Sequence, residues 1–118
     1  MSTWRPATKD EVDRIVAAEC AGLSPELRVL WERIRTRVRP AEIARYGKRE
    51  IVFVVAEEGN RAIYWEDIES GFNISTLDEQ GRLLEHGCDQ DGLAIALHKW
   101  GQAESEAQRR GADLGDGP

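Results

Sequence analysis

Little in this chain speaks for catalysis. Its 118 residues hold two cysteines, 68 positions apart, too few for a disulfide framework, so both thiols are expected free in a reducing cytoplasm. No apolar run approaches the roughly 20 residues of a membrane span. The start, Met1-Ser2-Thr3-Trp4-Arg5-Pro6, lacks the apolar central region of a secretory signal. No Gly-rich phosphate loop, Ser-His-Asp set or dinucleotide fingerprint occurs. No cofactor and no enzymatic activity are therefore expected. What is present is core material: 41% hydrophobic residues, four of them Trp, with 32% charged. That suffices for one domain with a single core and no metal or disulfide.

Net charge is −6, and its distribution says more than its sum. Residues 1–50 hold 11 Lys or Arg against 8 Asp or Glu, a balance of +3, whereas residues 51–118 hold 5 against 14, a balance of −9. Within residues 57–91, ten carboxylates face only Arg61 and Arg82. Such a region projects a negative field that repels nucleic acid and attracts a basic partner. It also serves as a solvated acidic surface that keeps a small protein soluble. Both readings stand at this level.

Thr8-Lys9-Asp10-Glu11 has the pattern of a capping box. The helix it opens carries Val12, Ile15, Val16 and Cys20 at helical spacing, with Glu19 out of pattern and Gly22 placed for a left-handed end. Cys20 reads as a small buried hydrophobe. Ser24-Pro25-Glu26 opens a second helix with the stripe Leu27, Leu30, Trp31, Ile34 and Val38, which Pro40 is expected to stop. That helix carries Arg28, Arg33, Arg35, Arg37 and Arg39. Two roles are open for them, a nucleic-acid face or a flank that pairs with the protein's own acidic sheet. The negative total charge and the lack of interleaved aromatics favour the second.

Glu50 to Ala56 is a continuous β-branched and aromatic run, expected as a central strand. Gly59-Asn60 supplies a hairpin turn. Arg61 to Asp67 returns with Ile63 and Trp65 on one face and Ala62, Tyr64 and Glu66 on the other. Gly71 to Thr76 alternates Phe72 and Ile74 against Asn73 and Ser75. Asp78-Glu79-Gln80-Gly81 fits a type I turn closed by a left-handed Gly81, with Arg82 to His86 as a fourth strand. Asp89 or Asp91 then caps a helix with the stripe Leu93, Ala96, Leu97 and Trp100. The expected class is α+β: an N-terminal helical pair, a four-stranded antiparallel meander sheet and a C-terminal helix. One domain spans residues 1–110, followed by a flexible tail over 111–118.

His86, Cys88, Asp89 and His98 are the one cluster with metal-ligand chemistry, and their spacing matches no structural zinc pattern; no metal site is expected. Glu66, Asp67 and Glu69 could act as a general acid and base or bind a divalent ion, yet no nucleophile or oxyanion-stabilising group lies near them in sequence. Asp67 and Glu69 more simply occupy a turn. Tyr64, Trp65 and Phe72 are core candidates, and aromatics beside exposed carboxylates also compose protein-binding hot spots.

The run through Val54-Val55-Ala56, Gly59-Asn60, Ile63-Tyr64-Trp65, Asp67-Ile68-Glu69, Gly71-Phe72-Asn73-Ile74-Ser75, Gly81-Arg82-Leu83 and Gln90 to Leu93 resembles small acidic bacterial immunity proteins encoded beside polymorphic or contact-dependent toxins. The resemblance covers about forty residues, one third of the chain, and rests on strand and turn positions. It implies a non-catalytic binding protein that neutralises a cognate toxin domain, often a basic nuclease. The expected partner-binding residues are Glu57, Glu58, Glu66, Asp67, Glu69, Asp78 and Glu79, with Tyr64 or Trp65 as apolar anchor. The alternative is a ligand-binding or enzymatic domain with a pocket between the helical pair and the sheet, using His86, Asp89 and Asp91.

Overall fold

The structure, a computed structural model, describes residues 5–115. Its elements run α1 (Lys9–Cys20), α2 (Pro25–Ile34), β1 (Arg35–Arg45), β2 (Lys48–Glu58), β3 (Arg61–Glu66), β4 (Gly71–Thr76) and α3 (Leu93–Gly115). The strands form one antiparallel sheet in the order β1-β2-β3-β4. The α+β class, with helices before and after a four-stranded meander, is as the sequence implies. Thr8 caps α1 by accepting from the Glu11 amide at 3.2 Å, and Ser24 caps α2 by accepting from the Leu27 amide at 3.3 Å.

One strand is not where the sequence places it. The second helix ends at Ile34, not Val38, and Arg35 is already extended at φ −58°, ψ 144°. Residues 35–45 are β1, an edge strand. Pro40 therefore stops no helix. It lies within the edge strand, where a residue without an N–H is tolerated. The expected strand over Arg82–His86 does not form. Leu83 alone makes bridges, to Leu77 just beyond β4 and to Ile43 of β1. Because that one residue touches both ends of the strand order, the sheet curls around it.

Three further expectations change. Gly22 takes no left-handed conformation, since the positive-φ glycines are Gly47, Gly59 and Gly81; α1 ends through the Gly22 and Leu23 amides donating to Glu19 and Cys20 carbonyls, both at 3.2 Å. Of the residues 111–118 expected as a flexible tail, those up to Gly115 belong to α3, and residues 116–118 lie outside the described residues. Neither Asp89 nor Asp91 caps that helix. Glu19, the residue out of pattern in α1, accepts from the Leu93 amide at 3.0 Å and so caps α3 from another element.

The two faces of the sheet are covered differently. Val55, Ala56, Ile63 and Phe72 meet Val12, Trp31, Ile34, Leu93, Leu97 and Trp100 from the helices, with half-buried Cys20 and Trp65 packed against them. The opposite face gathers Ala41, Ile43, Val52, Val54, Ala62, Tyr64 and Leu83 beneath the strap of residues 77–91. Asn73 and Ser75 of β4 face this strap and are buried. Asn73 donates to the Asp89 carbonyl at 2.9 Å and accepts from the Asp89 amide at 3.0 Å, while Ser75 Oγ accepts from the Glu85 amide at 2.9 Å. Polar alternation in β4 thus marks a hydrogen-bonded inner layer. Gly87 is required there, since a Cβ would stand 2.1 Å from Asn73 Oδ1.

Candidate functional site

The acidic residues singled out by sequence separate into two groups at opposite ends of the sheet's strap-covered side. The inner group surrounds Arg45, the last residue of β1, whose side chain is fully buried. Its Nη1 donates to both Glu66 carboxylate oxygens at 2.7 Å, and its Nε donates to Glu50 at 3.0 Å. Its Nη2 lies 2.8 Å from Asp67 Oδ1. Asp67 also accepts from the Ala7 amide at 3.1 Å, and Glu66 from the Ile68 amide at 3.1 Å.

Alternation makes this arrangement. On β3, the side of the sheet that takes Ala62 and Tyr64 also takes Glu66, and on β1 the side that takes Ala41 and Ile43 also takes Arg45. Burial opposes the guanidinium charge, but the hydrogen bonds it donates to Glu50, Glu66 and Asp67 outweigh that and hold Arg45 above the ordinary arginine range. His86 Nε2 stands 3.5 Å from Glu66 Oε1, with the ring edge-on to Tyr46 at 5.0 Å. Tyr64 Oη accepts from the Gly87 amide at 2.8 Å. Burial, with the Glu66 charge adding, pushes its hydroxyl up to about 12 against the opposing pull of that N–H.

These placements correct part of the expected binding face. Tyr64 and Glu66 have no exposed surface, the Asp67 side chain is 5% exposed, and Trp65 is half-buried against the helix-side core. None of the four stands free on a surface as placed. Glu69 lies half-buried in the β3–β4 turn, next to Ser70 at φ +56°.

The outer group is different. Glu57 and Glu58 close β2, while Asp78 and Glu79 lie in the turn beyond β4. The two turns are tied by the Leu77 amide donating to the Asn60 carbonyl at 2.7 Å. All four carboxylates line one concavity of about 500 Å³, together with Arg39 and Leu77. Glu57 pairs with Arg39 at 2.5 Å and Glu58 with Arg33 at 3.1 Å. Arg33 also meets Glu104 of α3. Asp78 accepts from the Arg82 amide at 2.8 Å, the Arg82 side chain at 2.7 Å and the Gln80 amide at 2.9 Å, which together hold it below the ordinary carboxylate range. Glu79 is exposed. Of the arginine row, Arg33 and Arg39 thus pair with carboxylates of the sheet, whereas Arg35 meets Glu32 of α2 and Arg28 the Cys20 carbonyl.

The alternative pocket residues do not converge. Asp89 and Asp91 both meet Lys99 of α3, at 3.2 and 2.6 Å, while His86 faces Glu66. A cavity of about 560 Å³ does lie between the helical pair and β1, lined by Lys9, Asp13, Cys20, Trp31, Arg35 and Arg37 among others, and contains none of the three. Burial raises the Cys20 thiol above its ordinary value. Among the described residues no three His, Cys, Asp or Glu are grouped to hold a metal, and no helix is long and apolar enough to cross a membrane.

Sequence reasoning missed Arg45, Glu50 and His86 as members of one cluster. The available signal was the period-two spacing of Arg33, Arg35, Arg37 and Arg39, which belongs to a strand more than to a helix, followed by the Tyr46-Gly47 turn. No family model matches this chain, and no curated protein or solved structure matches it.

Proposed function

We propose that this chain is a non-catalytic cytoplasmic immunity protein that neutralises a cognate bacterial toxin domain of basic, nuclease-type surface. Its docking face is the outer acidic group: Glu57, Glu58, Asp78 and Glu79. The observation that supports this reading is the joining of two turns at Leu77 and Asn60, which gathers four carboxylates from separate segments around one concavity.

The pairs already present there do not close the face. Arg33 and Glu58 are 49% and 44% exposed in their side chains, and ion pairs so exposed contribute only about 0–1 kcal/mol. A partner's arginine or lysine can therefore replace Arg33 at little cost. The inner group plays a different part: Arg45 and its carboxylates tie the β1–β2 hairpin to the end of β3.

Association with a basic toxin domain, followed by stopped-flow mixing at increasing salt, is the test. Electrostatic steering predicts a rate that falls steeply as the screening length shortens toward about 8 Å at physiological ionic strength. A rate indifferent to salt would remove the acidic face from the account.

A further inference from the structure

The β1–β2 ribbon is longer than the rest of the sheet, at 11 residues per strand against 6 in β3 and β4, and the helices leave one end of it bare. Ala41, Ile43, Val52 and Val54 belong to the strap-side core. The alternate residues Pro40, Glu42, Ala44, Arg49, Ile51 and Phe53 consequently share the other face. They stand directly opposite one another in register, Pro40 with Phe53, Glu42 with Ile51 and Ala44 with Arg49.

Further along this face Phe53 packs against the helix-side core. Beyond it, Ile51 is 49% exposed although β2 is an interior strand. Pro40 and Ala44 are exposed as well. Beside Ile51, Glu42 and Arg49 stand 3.9 Å apart with side chains 46% and 73% exposed, too far for a hydrogen bond.

We propose that this bare face is a self-association surface, on which a second copy of the chain docks about a two-fold axis, burying Ile51 and setting Glu42 of each copy against Arg49 of the other. Charge complementarity selects that occupant. A partner of either single sign would be repelled by one member of the pair. A second copy turned about an axis lying between the two charges meets both with the opposite sign.

Edge-to-edge pairing is not the mode implied. Leu83 already donates to the Glu42 carbonyl at 2.9 Å on the outer edge of β1, and Pro40 has no N–H to offer there. The proposal is independent of the toxin-binding reading, which uses the other turn.

Sedimentation velocity over a range of protein concentrations tests it, with circular dichroism as the folding control. The wild-type chain is expected to pass from monomer to dimer as concentration rises, and Ile51→Glu to remain monomeric while keeping its helix and strand signal. Glu42→Arg and Arg49→Glu are each expected to be monomeric alone and to form a heterodimer when mixed in equal amounts, because the mixture restores both cross-pairs. A wild-type chain that stays monomeric up to about 1 mM, where the association free energy falls to roughly −4 kcal/mol, overturns the proposal. So does a dimer that survives Ile51→Glu, or a mixture of the two charge variants that stays monomeric.

Discussion

Arg45→Met should lower the stability of the folded chain by about 3–5 kcal/mol, because it removes the one guanidinium shared by Glu50, Glu66 and Asp67 and leaves the fully buried Glu66 carboxylate without its ion pair. Chemical denaturation reads the loss directly. As a melting temperature it corresponds to roughly 12–20 °C for a domain of this size. Adding Glu66→Gln to Arg45→Met should recover part of the loss, since it removes the buried charge at Glu66. A stability unchanged by Arg45→Met would mean that the carboxylates are satisfied without it.

Trp65→Ala is the second large effect. Trp65 stands between Phe53 on β2 and Phe72 on β4 in the sheet register, with its ring edge-on to Phe72 at 4.9 Å and an interplanar angle of 65°. It packs against the helix-side core while remaining partly exposed. Loss of that packing and of the edge-to-face contact is expected to cost about 3 kcal/mol, or roughly 12 °C in melting temperature. Association with a partner should be unaffected at temperatures where the variant is folded. A variant that melts like the wild type but dissociates faster from its partner would return Trp65 to the role of an exposed anchor.

The elements were legible where local pattern and burial agree. Ile63 and Trp65 do face the helices while Ala62, Tyr64 and Glu66 face the strap, and Gly59 and Gly81 do take positive φ. The largest error, the missing β1, has a local origin. Ile34 and Val38 continue the apolar stripe of α2 at helical spacing, so residues 35–38 read as its last turn although the arginines around them alternate with period two. Without β1 there was no strand to carry Arg45 to Glu66, 21 positions away, and a carboxylate at a strand end then reads as surface. The cap of α3 was equally hidden. Glu19 lies 74 positions from Leu93, and nothing in local sequence announces a cap supplied by another helix. Asn73 and Ser75 were placed on the correct face but not recognised as buried, since polar alternation ordinarily marks solvent and the strap that covers them has no regular pattern of its own.

On the function proposed above, the chain's acidic residues are of two kinds, an inner set that holds the fold together and an outer set that meets a basic partner. Binding and melting measured side by side on two variants separate them most directly. Glu58→Lys with Glu79→Lys should slow association with the partner and weaken its salt dependence while leaving the melting temperature near that of the wild type. Glu66→Gln should lower the melting temperature and leave the association rate of the folded protein unchanged. The reverse pattern, with binding lost at Glu66 and intact after reversal of Glu58 and Glu79, would move the docking face from the outer carboxylates to the inner ones.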